Sequence, residues 1–383
     1  MNLNTSAQFV DMTFAFTGDP KTNSRALRQL NLLSDLGLNI LVLGLGDSAD
    51  NSHLDIQNVT LRYLHRPTGK GPRFFWHVHQ LFESAARDIK STIYHASDLY
   101  SLPAMHRAAR LHQAKLVFDA RELYTHVPAT IRRPWVRMIW STLQHLYLRH
   151  TNCIYSVSES IAQHLKKYYR LPAVHVVHNV PGPQRMTPSI SLKQRLNLPS
   201  NMKIILHQGN LQKYRGGPMM VEAMRYTENA TLVFMGKGPL RTEIEQLVKT
   251  LNLASKVQFT DPVPPDQLLS VTASADIGLT FLEDCCLNHK YALPNKLFEY
   301  LAAGVPVIAS DLPEIAQVIH QFDVGCVVPS GDVQALGTAL DHAIKNTELR
   351  QKWASNTSRV QEFFNFETES KRFLDPYQLL LDK

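Results

Sequence analysis

Short apolar runs recur along the chain and alternate with stretches in which the apolar residues fall every three or four positions. Residues 9–18, FVDMTFAFTG, read as a strand ending in a glycine loop. Residues 24–36 carry a leucine stripe at helical spacing, closed by Gly37, and 39–45 is apolar again. A strand, loop, helix and strand in that order begin a Rossmann-like domain. The same pattern predicts strands at 59–64, 92–95, 115–119, 153–157 and 173–178, with helices at 103–112, 131–150 and 159–168. Residues 66–82, RPTGKGPRFFWHVHQLF, mix basic residues with glycines and aromatics. At 178–184, HNVPGPQ, two prolines and a glycine interrupt regular structure, so a linker is expected. The alternation then restarts, with strands at 203–208, 230–235, 256–260, 276–281 and 326–329 and helices at 241–251, from 266 and from 332. Residues 363–381 read as a terminal helix containing Pro376. The pattern is that of an α/β protein with two tandem Rossmann-like units, 1–180 and 181–365.

The most informative stretch is 291–311, YALPNKLFEYLAAGVPVIASD. Pro294 suits a helix start, because its fixed φ is helical and its missing N–H is not needed there. Leu297, Tyr300 and Leu301 are spaced to face a core, and Gly304 ends the helix before the buried strand PVIAS. A helix start attracts anions through its free N–H groups and positive dipole end. Glu299, one turn inside, is placed to accept hydrogen bonds from ribose hydroxyls. Two further loops point the same way. GNLQKYRGG joins Gly209, where backbone can approach a ligand, to Lys213 and Arg215, which suit a diphosphate. Gly236, Lys237 and Gly238 form a second glycine turn. All three features follow strands of one domain, where open α/β sheets bind ligands. In the first half, Asp98 and Asp119 also end strands, and either a ligand role or a helix cap accounts for them. The loop after Gly18 lacks the three spaced glycines of a dinucleotide fingerprint, so NAD is not indicated.

Composition narrows the partners. The chain has 383 residues, 44% hydrophobic and 19% charged, enough for two domains with their own cores and too apolar for disorder. No apolar run reaches bilayer-spanning length. The opening MNLNTSAQFVDM lacks a signal-peptide layout, and Cys153, Cys285, Cys286 and Cys326 show no metal-ligand spacing, so a cytoplasmic setting without a metal is expected. Cys285 and Cys286 read as small core or loop residues. The formal charge of +7 favours a polyanionic partner: nucleic acid, an anionic membrane face or phosphorylated ligands. No nucleic-acid motif supports the first. In 131–150, Arg132, Arg133, Arg137 and Arg149 lie beside Trp135, Ile139 and Trp140. That mixture suits a peripheral position on the inner face of a membrane, or a helix packing its aromatics inward with solvated arginines.

LPNKLFEYLAAGVPVIASDLPEI resembles the core motif of the retaining glycosyltransferases of family four, which have the GT-B fold. HNVP, GNLQKYRGG, MGKGPL, YHASDLYSLPA and KLVFDAREL are similar to stretches of the same family, and the likeness runs over nearly the whole chain. The resemblance implies two Rossmann-like domains facing a central cleft, with helix 366–383 crossing back to the first. It implies a nucleotide-sugar donor, a UDP- or GDP-sugar, held mainly by the second domain, a glycan or lipid-linked acceptor, and no cofactor or nucleic acid. It assigns the donor ribose to Glu299, the diphosphate to Lys213 and Arg215, and the donor's surroundings to Gly209, Gly236, Asn295, Lys296 and Leu297. The loop after Gly18 is placed near the acceptor and phosphates. Two positions depart from the family. Tyr291 stands where relatives have the first of two glutamates. Arg121 stands where they often carry a histidine, and a guanidinium is no base at neutral pH. Asp98, Asp119 and Glu122 then remain as polar groups for the first-domain part of the site. The expected function is sugar transfer, with retention, in surface polysaccharide or glycoconjugate biosynthesis. A weakly active or inactive relative in a glycan-assembly complex is the alternative.

Overall fold

The computed structural model describes residues 8–46, 54–69, 71–183 and 190–382. The chain divides into two compact units. Unit 1 runs to Val177 and takes in the residues from Glu369 on; unit 2 is His178–Thr368.

Among its described residues unit 1 holds seven strands: β1 Gln8–Phe16, β2 Ile40–Gly46, β3 Val59–His65, β4 Ile89–Ala96, β5 Lys115–Ala120, β6 Cys153–Ser156 and β7 His175–Val176. All pair in parallel in the order β3-β2-β1-β4-β5-β6-β7. Residues 40–45 of β2, ILVLGL, are all buried, as expected for a parallel strand covered on both faces. The order switches direction between β1 and β4, and the loops leaving these two strands carry Thr17 and Asp98. Phe373 and Tyr377, from the terminal helix Phe366–Leu381, lie in this unit's core with Met12, Phe14 and Tyr155. The Tyr155 hydroxyl donates to the Phe373 carbonyl at 2.7 Å.

Among its described residues unit 2 holds six strands: β8 Lys203–Gln208, β9 Ala230–Met235, β10 Val257–Thr260, β11 Ile277–Thr280, β12 Val307–Ser310 and β13 Gly325–Val328. They are parallel in the order β10-β9-β8-β11-β12-β13. Alternate residues fill two cores. Ile205, Leu232 and Phe234 face one, and Ile204, Leu206, Val233 and Met235 the other. The switch point of this sheet lies between β8 and β11.

The structure departs from the sequence reading in several places, among them the unforeseen helices Gly217–Ala223 and Pro313–Phe322. Pro72–Arg87 is a helix that buries Val78, His79, Phe82 and Ala86 along one face. Its glycine-rich, aromatic start concealed the 3.6-residue period. The helix expected at 363–381 is Phe366–Leu381 with Pro376 inside it, and an unforeseen helix, Thr347–Phe363, precedes it; Asn365 between them accepts from the Thr368 N–H at 2.8 Å. The strand expected at 173–178 shrinks to His175–Val176. Of the expected linker, residues 178–183 are irregular and Gln184 lies outside the described residues. Among the described residues, no helix is long and apolar enough to cross a membrane.

Candidate functional site

The loops after β8 and β9 are locked together through their backbones. The Gly209 N–H donates to the Met235 carbonyl at 2.9 Å, and Leu211 N–H to the Lys237 carbonyl at 2.9 Å. Leu240 N–H returns to the Leu211 carbonyl at 3.1 Å. A Cβ on Gly236 would lie 1.9 Å from the Gly209 carbonyl oxygen, and one on Gly238 2.3 Å from that of Leu211. No other residue fits at these two positions without parting the loops. Gly209 itself turns with φ +104°, a conformation that side-chain-bearing residues avoid.

The helix Asn295–Ala302 is fixed against this frame. Pro294 is its cap rather than its first residue, and Gly304 (φ +75°) follows its end. Tyr300, fully buried, accepts from the Gln208 N–H at 2.9 Å, and its hydroxyl lies 2.9 Å from the Leu206 carbonyl. Its ring occupies the space that a Cβ on Gly278 would need. One position earlier, the Glu299 carboxylate accepts from Gln208 Nε2 at 2.6 Å. Gln208 Oε1 in turn accepts from the Thr272 hydroxyl at 2.8 Å, which orients the amide. Lys296 is buried, with its Nζ 3.4 Å from His207 Nε2. Burial, then the charge of Arg215, lowers the Lys296 amine to about 7, while Glu299 pulls it back up. Burial, then Lys296 and Arg215, holds His207 well below the usual imidazole range. Arg215, Lys296, His207 and Glu299 thus share one electrostatic neighbourhood.

The expected donor residues therefore fall into three groups. Arg215, Lys296 and Glu299 come together, and Gly209 and Gly236 frame them. Lys213 is exposed on the same loop, and Asn295 and Tyr291 are half-buried on the segment leading into the helix. Leu297 is a correction: its side chain is fully buried in the core, and its N–H is bonded to the Pro294 carbonyl at 3.1 Å. The helical stripe that identified the helix also places Leu297 on the wrong face for a ligand. His207, Gln208 and Thr272 were missed, although two polar residues ending the apolar run KIILHQ just before Gly209 were a readable signal.

In unit 1 the polar candidates are mostly engaged with one another. Asp119 is fully buried between Arg25, which binds both carboxylate oxygens at 2.8 Å, and Gln29 Nε2 at 3.0 Å. Burial would raise this carboxyl, but Arg25, and then Arg121, outweigh it and hold it well below the usual carboxylate range. Asp119 is a buried counter-ion, not an acid open to a ligand. Arg121 lies 3.3 Å from Asp119 and 3.0 Å from Asn23 Oδ1, with its guanidinium over the Phe16 ring. Asp98 accepts from the Thr17 N–H at 2.7 Å, the Thr17 hydroxyl at 2.9 Å and the Ser101 N–H at 2.9 Å, so it ties the β1 loop to the β4 loop. Gly18 accepts from the Leu45 N–H at 2.9 Å, and Glu122 is exposed. His95 bonds the Tyr377 hydroxyl, and burial lowers its imidazole to about 3, so it is neutral.

Comparison with known proteins bears on both units. The family model described as "Glycosyl transferases group 1" matches residues 189–360, and that of "Glycosyltransferase Family 4" matches 23–180. A D-inositol 3-phosphate glycosyltransferase of Corynebacterium urealyticum is 24% identical over 55% of this chain and 50% of its own length. The chain spans about half the length of the sequence relatives it matches. In fold it is similar to sucrose-phosphate synthase from Thermosynechococcus elongatus, with a TM-score of 0.82 at 18% identity over 98% of this chain and 99% of that one. It is also similar to HepE of Anabaena, solved with UDP-glucose, with a TM-score of 0.75 at 16% identity over 96% and 99%.

Proposed function

This chain belongs to the family-four glycosyltransferases of the GT-B fold, and from that membership we propose that it transfers a sugar from a UDP- or GDP-sugar to a glycan or lipid-linked acceptor, with retention, in glycoconjugate biosynthesis. The observation that carries the proposal is the convergence of Arg215, Lys296, Gln208 and Glu299 at the switch point of the unit 2 sheet. Glu299, aligned by Gln208, accepts from the donor's ribose hydroxyls. Arg215 and Lys296, with Lys213 at the rim, hold the diphosphate beside the Asn295 and Lys296 N–H groups that open the 295–302 helix. As the bond from the sugar to the diphosphate breaks, negative charge grows on the departing phosphate, and fixed cations lower that barrier. The UDP-glucose held by HepE, a fold neighbour, supports a donor of this class.

Thermal melting in the presence of UDP, GDP and their sugars tests this reading. One of them should raise the melting temperature. Glu299→Ala should weaken that ligand about tenfold to a hundredfold, the worth of one or two hydrogen bonds to a charged group. A donor affinity unchanged in Glu299→Ala removes the ribose role, and no response to any of the nucleotides removes the donor site. A second reading, a relative that binds donor but turns it over weakly, is favoured by Tyr291 and by the enclosure of Asp119 and Arg121 in an ion-pair network. Donor binding without product or hydrolysis would select it.

The helix Pro134–Tyr147 supports a membrane-borne acceptor. Only Gln144 within it is buried, while Trp135, Met138, Ile139 and Leu146 are exposed. Arginines and no acids accompany them over 131–150. An anionic bilayer surface meets both characters at once.

A further inference from the structure

The loop after β11 carries two adjacent cysteines whose spacing in sequence suggested no ligand set. In the structure the thiols of Cys285 and Cys286 and a ring nitrogen of His289 lie within 4.8 Å of one another. The two sulfurs are 4.0 Å apart, and Cys285 Sγ is 3.6 Å from His289 Nδ1. Zinc–sulfur bonds of about 2.3 Å and zinc–nitrogen bonds of about 2.0–2.1 Å place tetrahedral edges at about 3.8 Å between sulfurs and about 3.6 Å between sulfur and nitrogen. Two edges of the trio are therefore already at nearly the lengths a tetrahedral ion requires. His289 is buried and both cysteines are half-buried, so the donors sit beneath the surface with a path to it.

We propose that Cys285, Cys286 and His289 bind one soft divalent cation of the Zn²⁺ class, with the fourth coordination position open to water or an outside ligand. Thiolate and imidazole donors select such an ion over Mg²⁺ or Ca²⁺. Two thiolates and a neutral imidazole balance its charge, so the nearby Arg215, whose charge reaches His289, does not oppose binding. Each thiol releases its proton on ligation. The cost to the loop is small. His289 Nδ1 now lies 3.0 Å from the Glu283 carbonyl, and that carbonyl keeps the Cys285 N–H, at 2.8 Å, when the ring turns to the metal. Glu283 N–H also donates to the Tyr214 carbonyl at 3.0 Å, next to Arg215. Occupancy would therefore clamp the segment between β11 and Tyr291 onto the basic loop. The site stands on its own donor geometry and owes nothing to the nucleotide proposal.

The test uses the full chain, fully reduced and without oxygen, titrated with Co²⁺ and then Zn²⁺. One Co²⁺ per chain should bind with thiolate charge-transfer absorption and the visible bands of a tetrahedral ion, and Zn²⁺ should bleach both. Zn²⁺ should also shield two of the four thiols from alkylation. Cys153→Ser with Cys326→Ser should keep these signals. Cys285→Ser with Cys286→Ser should abolish them, and His289→Gln should weaken binding about tenfold or more. An absent charge-transfer band in the wild-type chain, equal alkylation of all four thiols with and without Zn²⁺, or a band that survives the Cys285/Cys286 double change overturns the proposal. The alkylation result is read on the wild-type chain, so it stands even if a variant fails to fold.

Discussion

The buried amine of Lys296 makes a quantitative prediction about pH. Its ordinary value is 10.5, and in the fold it falls to about 7, because burial and then Arg215 disfavour its charge. Between these two values the unfolded chain holds a proton there that the folded chain has largely released. Stability must then rise with pH across that window and lose the gain as pH falls towards 7. With these two values, raising the pH from about 7 to about 9 stabilises unit 2 by about 2 kcal/mol through this one group. Lys296→Met keeps the stem and removes the titration, so the variant should lack that increment. Trp353 is the sole tryptophan of unit 2. With Trp76, Trp135 and Trp140 changed to Phe, its fluorescence follows urea unfolding of that unit alone. Parallel pH profiles for Lys296 and Lys296→Met would refute the assignment. The same group links to ligand binding, because a diphosphate beside it restores its charge. Nucleotide binding above pH 7 should therefore take up a proton, measurable by calorimetry in buffers of different ionisation enthalpy.

Three further expectations concern other parts of the molecule. Asp119→Asn leaves Arg25 buried without its counter-charge and should cost unit 1 about 3–5 kcal/mol by urea unfolding; a loss under about 1 kcal/mol contradicts the ion-pair account. Because the folded Asp119 carboxyl is held below its ordinary 3.8, its contribution is complete above that value and disappears as pH falls beneath it. Gly236→Ala forces a Cβ to within 1.9 Å of the Gly209 oxygen, so unit 2 should lose about 1–3 kcal/mol and bind nucleotide more weakly; an unchanged melting temperature would show that the two loops separate freely. Changing Arg132, Arg133 and Arg137 together to Ala should weaken sedimentation with phosphatidylserine vesicles by about 3 kcal/mol, or two orders of magnitude, and equal binding would argue against the membrane face.

The fold was legible because parallel strands buried on both faces leave uninterrupted apolar runs, as in ILVLGL and ATLVFM. The 295–302 helix was legible for a similar reason, since Leu297, Tyr300 and Leu301 recur at helical spacing. What escaped was whatever depends on contacts distant in sequence. Asp119 reads as a strand-end acid, and only the arrival of Arg25, 94 residues away, makes it a buried counter-ion. Asp98 looked equally available until Thr17 supplied its partners from 81 residues away. Gln208 reads as a polar strand end, but the sequence does not show its partner, Glu299, 91 residues on. Local pattern records which face a residue occupies; it does not record who else arrives there.

The terminal helix carries a consequence for biosynthesis. Tyr155 finds its acceptor, the Phe373 carbonyl, 218 positions later. At about 5–20 residues per second, ribosomal synthesis keeps that acceptor from emerging for about 10–40 s after Tyr155 itself. During this interval unit 1 has an open hydrophobic seat, whereas unit 2 is contiguous and has every residue it needs before the last segment is made. Unit 1 can therefore complete its core only after the whole of unit 2 has been synthesised.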